Sequence, residues 1–169
     1  MVATALVIVI LPLILAVAAG WDLASYTIPN FLSIALIGLF AIFAVAAGLT
    51  VPAIGWHLLA GAAGLVVGFT LFALGWIGGG DAKLFAAVAL WLGFRDLLDY
   101  TLLASAFGGA LTLGLLALRQ WPLPQMLARQ AWIVNLHDHR SGIPYGVALA
   151  VGAFILLPNT EIFRIAAGV

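Results

Sequence analysis

Residues 53–83 read AIGWHLLAGAAGLVVGFTLFALGWIGGGDAK. From Ala53 to Trp76 the run carries no charged side chain, and a helix that crosses a bilayer needs roughly 20 apolar residues. Inside lipid the backbone must satisfy its own hydrogen bonds, so a continuous run of this kind is expected to be a helix. A barrel strand would be shorter and would alternate. Gly61, Gly64 and Gly68 fall on one side of that helix, where small residues let a second helix approach closely. The run ends in Gly78-Gly79-Gly80-Asp81. A charge and a cluster of turn formers mark where the chain leaves the apolar phase.

The same punctuation divides the rest of the chain. Further spans are expected at 2–20, 31–49, 83–94, 97–118 and 143–158, giving an all-α polytopic membrane bundle of about six transmembrane helices in one domain, residues 1–169. The fourth is short, and local thinning of the bilayer or a deep seat in the bundle would accommodate it. The composition agrees: 66% of residues are hydrophobic and 7% charged. A water-soluble domain of this size could not cover so much apolar surface. Zero net charge gives no electrostatic basis for nucleic-acid binding. The absence of cysteine excludes disulfides, thiolate metal sites and a cysteine nucleophile. No basic residue precedes the apolar stretch 2–19, so it reads as a retained first span rather than a signal peptide. The long polar connection 119–142 carries Arg119, Arg129 and Arg140. Leu123, Leu127, Ala131 and Trp132 are expected on one face of a helix lying on the membrane. With Lys83, that side has more basic residues than the side holding Arg95 and Arg164. The basic side is expected inside, so the N-terminus is expected outside, with 21–30, 77–82 and 119–142 in the cytoplasm.

Only two acidic residues, Asp22 and Asp81, precede Asp96, and both fall at helix ends. Two crossings separate them, and two crossings return a chain to the same face, so both carboxylates are expected on one side. A pair of carboxyls in contact resists joint ionisation and retains one proton, and it titrates as a unit. The ionised member can take a proton from water while the protonated one hydrogen-bonds the carbonyl under attack. Partial burial sharpens this, since a charge at mid-membrane costs at least about 2.5–3.5 kcal/mol. Gly78-Gly79-Gly80 adds backbone angles closed to other residues and room for an extended peptide. Each residue also has a plainer reading. Asp81 after three glycines suits a helix cap. Asp22 suits a juxtamembrane polar residue, and Ile28-Pro29-Asn30 a turn with a helix start. Lys83 suits a snorkelling side chain, His57 an interfacial one. His137-Asp138-His139 reads as solvated loop rather than a metal site, so no metal is expected.

Three stretches taken together resemble the prepilin peptidases, polytopic aspartic proteases with a GxGD motif. They are Asp22 with Ile28-Pro29-Asn30, then Gly78-Gly79-Gly80-Asp81-Ala82-Lys83, then Ile143-Pro144-Tyr145-Gly146. The resemblance implies that Asp22 and Asp81 are the catalytic pair and that Gly78 and Gly80 are the motif's glycines. Pro29, Asn30, Lys83, Pro144, Tyr145 and Gly146 would shape the site. It implies a pilin-like precursor as substrate, cut between a short basic leader and a hydrophobic helix at the cytoplasmic face of the inner membrane. It also implies pilus or secretion machinery as partner, and no cofactor. The longer members carry a cysteine-bearing insert, and many also methylate the new N-terminus. This chain has neither insert nor cysteine, and resembles the short branch serving tight-adherence (Flp-type) pili. Methyltransferase activity is therefore not expected. Basic residues frequent in that branch between Asp22 and Ile28 are replaced here by Leu-Ala-Ser-Tyr-Thr.

Two rival readings predict different structures. A small transporter or channel would hold its acids near mid-membrane on broken, repeated helices. A non-catalytic assembly protein of a pilus or secretion machine would need no acidic pair on one face.

Overall fold

The first helix, α1 (Val2–Ser25), runs through a single π turn at Leu6–Ile10. It stops where Tyr26 turns left-handed with φ 55°, its N–H donating to the Asp22 carbonyl at 2.8 Å. Nothing between residues 20 and 25 breaks a helix, so it outruns the expected end at 20. Asp22 consequently lies inside α1, not after it. The computed structural model describes residues 1–168.

α2 (Asn30–Ala46) begins behind Pro29, whose ring sets φ and keeps the preceding residue extended. α3 (Val51–Ala73) is capped by Thr50, whose hydroxyl accepts the Ala53 N–H at 3.4 Å. Its glycines seat the next helix. A Cβ added at Gly61, Gly64 or Gly68 would stand 3.0 Å from Leu90 Cβ, 2.7 Å from Ala89 Cβ and 3.0 Å from Ala82 Cα, respectively. The partners fall in number as the glycines rise, so the two helices run antiparallel at close range.

α4 (Gly79–Leu118) is one assigned helix but two rods. Gly93 takes φ 70° and ψ 178°, a conformation essentially confined to glycine. Beyond it the chain doubles back: the rings of Phe85 and Tyr100 stack at 5.5 Å, where a straight helix would hold them about 22 Å apart. The reversal thus comes at Gly93, ahead of the Arg95-Asp96 pair expected to mark it. A helix tolerates charges in its first turn, whereas it cannot pass an angle of this kind. The Leu90 carbonyl freed by the break accepts from His57 Nδ1 at 2.9 Å, so His57 serves the bend. Trp91, buried beside it, donates Nε1–H to the Leu36 carbonyl at 2.9 Å.

After α4, Pro122 and Pro124 prevent the single surface helix expected for 123–132. The chain makes a 3₁₀ turn at Leu127–Arg129, then α5 (Ala131–His137). α6 (Tyr145–Leu156) starts behind Pro144 and is shorter than the expected span 143–158. A 3₁₀ turn, Leu157–Asn159, leads to α7 (Glu161–Ala167). At that end Arg95 pairs with Glu161 at 3.3 Å, and Asp96 Oδ2 accepts the Glu161 N–H.

The architecture is an all-α bundle, with no strand among the described residues. Its exterior is apolar: Ile34, Trp56, Val66, Phe69 and Leu102 are exposed. That inversion suits lipid as the surrounding solvent. α1, α3 and α4 are long and apolar enough to cross a membrane, and α6 with α7, bent by 54°, would add a fourth. Helix length therefore does not reproduce the expected six spans. α2 has 17 residues, and the first arm of α4, 79–92, rises only about 20 Å, short of a hydrocarbon core of about 30 Å.

Candidate active site

Asp22 and Asp81 come together at one end of the bundle. The bend at Tyr26 and the start of α4 sit side by side, pinned by Ile28. A Cβ on Gly80 would stand 3.0 Å from Ile28 Cβ and 3.1 Å from its N; one on Gly146 would stand 2.8 Å from Ile28 Cδ1. Two helix starts thus close on one isoleucine only because each presents a glycine. The three glycines of the motif serve space rather than unusual angles. None has positive φ, Gly79 and Gly80 already belong to α4, and a Cβ on Gly79 would press the Phe72 ring at 3.4 Å. The loop expected at 77–82 therefore ends at Gly78, because Asp81 draws the first helical turn onto it.

Each carboxylate is buried, Asp22 with 4% and Asp81 with 6% of its surface exposed, and each is held by a backbone N–H. Gly146, in the first turn of α6, donates to Asp22 Oδ2 at 2.7 Å. Unpaired N–H groups at a helix start favour an acceptor there. Gly78 donates to Asp81 Oδ2 at 2.9 Å, the back-reaching half of a capping box. Asp81 thus caps the helix from its third position, with Gly78 and not Asp81 as the N-cap residue, and with one oxygen only. Its other oxygen, Oδ1, is buried without a partner, which a cap does not require. Both aspartates line one cavity of about 300 Å³, with Tyr26, Thr27, Ile28 and Gly78–Gly80. Asp81 also lines a separate apolar cavity of about 150 Å³ with Phe85, Thr101 and Tyr145.

The remaining expected residues divide between these spaces. Asn30 and Lys83 border the aspartate cavity; Lys83 Nζ donates to Asn30 Oδ1 at 2.9 Å rather than to either carboxylate. Pro29 and Pro144 are the cap residues of α2 and α6. Tyr145 faces the second cavity, its ring against Gly108 and its hydroxyl 3.4 Å from Thr112 Oγ1. It stands behind Asp81 rather than over the pair. His137-Asp138-His139 lies in a turn where Asp138 Oδ1 accepts the Arg140 N–H at 2.8 Å. Among the described residues no three His, Cys, Asp or Glu side chains gather as a metal site would need.

Arg119 and Ile28 were not among the residues expected to shape the site. Arg119 is buried, and its guanidinium donates to the carbonyls of Leu136, Ser141 and Gly142 at 2.9, 3.1 and 2.9 Å. It thereby fixes the strand of loop that enters Pro144-Tyr145-Gly146. An arginine amid the polar connection gives no sequence sign of that role.

The family model described as the type IV leader peptidase family matches residues 9–113, more than half of the chain. The chain belongs to the type IV leader peptidase family. This peptidase thus carries both aspartates inside the matched region, while Pro144-Tyr145-Gly146 lies beyond it. No curated protein and no solved structure matches it. Family membership and the apolar bundle make it a multi-pass membrane peptidase of the prepilin-processing type.

Proposed function

We propose that this peptidase is an aspartic endopeptidase in which Asp22 and Asp81 activate one water against the peptide bond joining a prepilin leader to its hydrophobic helix. The observation that carries the reading is the shared cavity: two buried carboxylates, each fixed by a backbone N–H, border one space of about 300 Å³ at one end of an apolar bundle. One carboxylate takes a proton from water as its oxygen bonds to the scissile carbonyl carbon. The other, protonated, hydrogen-bonds the carbonyl oxygen and passes its proton on as charge develops. The tetrahedral adduct then collapses: the first carboxyl gives the proton it took from water to the departing nitrogen, the second takes back the hydroxyl proton as the carbonyl re-forms, and the C–N bond breaks to release an amine. No cofactor is required for these steps.

The larger number of basic residues on this side supports a cytoplasmic active site, with the N-terminus outside the inner membrane. The leader would then meet the cavity from the aqueous side and the helix from the lipid side. Its clientele would be that of the short, tight-adherence branch, without methyl transfer, beside pilus or secretion machinery. The test is co-expression with a tight-adherence prepilin. Asp22→Asn and Asp81→Asn, each nearly isosteric, should both abolish processing while the protein remains in the membrane. Full processing by both variants defeats the proposal.

A further inference from the structure

Two buried side-chain polar atoms among the described residues have no hydrogen-bond partner, and they are Asp81 Oδ1 and Tyr100 Oη. An unpaired buried oxygen is costly, so each such group calls for an explanation. These two belong to one place. Asp81 and Phe85 are a helical turn apart on the first arm of α4, hence on one face. The reversal at Gly93 brings the second arm back, and Tyr100 stacks on Phe85 with ring centroids 5.5 Å apart and planes at 17°. Both oxygens therefore belong to the region where the two arms of α4 meet. Tyr100 is wholly buried, at 0% exposure. A phenylalanine would fill the same space, so packing alone does not account for the hydroxyl. Hydrogen bonds of this kind are often long in a resting enzyme and tighten with substrate bound.

We propose that Tyr100 is the positioning residue of Asp81, its hydroxyl donating to Oδ1 in the working enzyme. Gly78 already holds Oδ2, and a second donor on Oδ1 stops the carboxyl plane from turning. Tyr100 stands outside the aspartate cavity, so it acts through Asp81 and not on substrate. The inference rests on the reading of Asp22 and Asp81 as the catalytic pair.

The test compares Tyr100→Phe with Asp81→Asn in the full-length protein, reconstituted in lipid. Tyr100→Phe should keep its thermal midpoint, since it removes only an unpaired oxygen, and lose about tenfold in kcat with KM within about twofold. Its pH–rate profile should be displaced. Infrared spectra supply a readout free of activity. The carboxyl band of Asp81, assigned by its loss in Asp81→Asn, should move in Tyr100→Phe. Reciprocally, the phenol C–O band of Tyr100, assigned by its loss in Tyr100→Phe, should move in Asp81→Asn. Wild-type kcat and pH profile in Tyr100→Phe, or two bands that ignore each other, overturn the proposal. A fallen midpoint with unmoved bands also overturns it, since that marks a merely structural role. Full cleavage by Asp81→Asn would instead sink the catalytic reading, and the bands would still report the contact.

Discussion

Gly146→Ala adds one methyl group where α6 meets Asp22, and its effect can be worked from distances. The new Cβ would stand 2.8 Å from Ile28 Cδ1, 2.9 Å from Asp22 Oδ2 and 3.0 Å from Asp22 Cβ. The isoleucine tip can rotate away, but Asp22 Cβ is fixed to the α1 backbone and cannot. Carbon atoms pack at about 3.5 Å, so the first turn of α6 must retreat by about 0.5 Å. That stretches the 2.7 Å bond from Gly146 N–H to Asp22 to the limit of useful geometry. Hydrogen bonds to charged groups contribute about 1.5–3 kcal/mol, and sub-ångström misplacement of a reacting group has effects of the same order. Cleavage by Gly146→Ala should therefore fall about ten- to a hundredfold. Overpacking should also lower stability by about 1–3 kcal/mol. The assay is kcat/KM on a leader–helix peptide in lipid, beside a thermal melt. Gly109→Ala is the control, because a Cβ there meets nothing within 4 Å; it should keep full activity and gain slightly in stability. Wild-type cleavage by Gly146→Ala would refute the claim that the α6 start holds Asp22 in place.

Gly80→Ala should behave like Gly146→Ala, since its Cβ meets Ile28 Cβ and backbone N at 3.0 and 3.1 Å; an unchanged cleavage rate would count against Ile28 as the pin of the site. Arg119→Lys keeps the charge but not the fork that reaches three carbonyls. It should lose about 1.5–3 kcal/mol for each charged bond not remade, seen as a lower thermal midpoint and faster tryptic cutting after Arg140. Gly93→Ala forces a side chain into φ 70° and places a Cβ 3.2 Å from the His57 ring. It should destabilise by at least about 1–3 kcal/mol, and His57→Ala, which strands the Leu90 carbonyl, by about 1–3 kcal/mol. Melts in detergent check both, and an unshifted midpoint for Gly93→Ala would show that the reversal does not depend on it.

Much of this protein is readable along the chain because lipid imposes a one-dimensional rule. Apolar length alone marks Val51–Ala73 as a helix and places Asp22 and Asp81 at the ends of apolar runs. The stripe Gly61, Gly64, Gly68 announces a close neighbour, and α4 answers it. The reversal was legible to within two residues, at Arg95-Asp96, but its seat at Gly93 was not. A lone glycine beside Arg95-Asp96 reads as less of a boundary than the charges, and only the packing of His57 and Tyr100 selects its backbone angle. Nor do glycine triplets reveal their purpose. Gly80 is required by Ile28, distant in the chain, and Gly146 by Asp22. The donors that hold each carboxylate, the buried grip of Arg119 and the meeting of Tyr100 with Asp81 join residues that no local pattern links. Helices form from hydrogen bonds between near neighbours, so their places are written locally. A site forms from contacts across the bundle, and those exist only once the helices have packed.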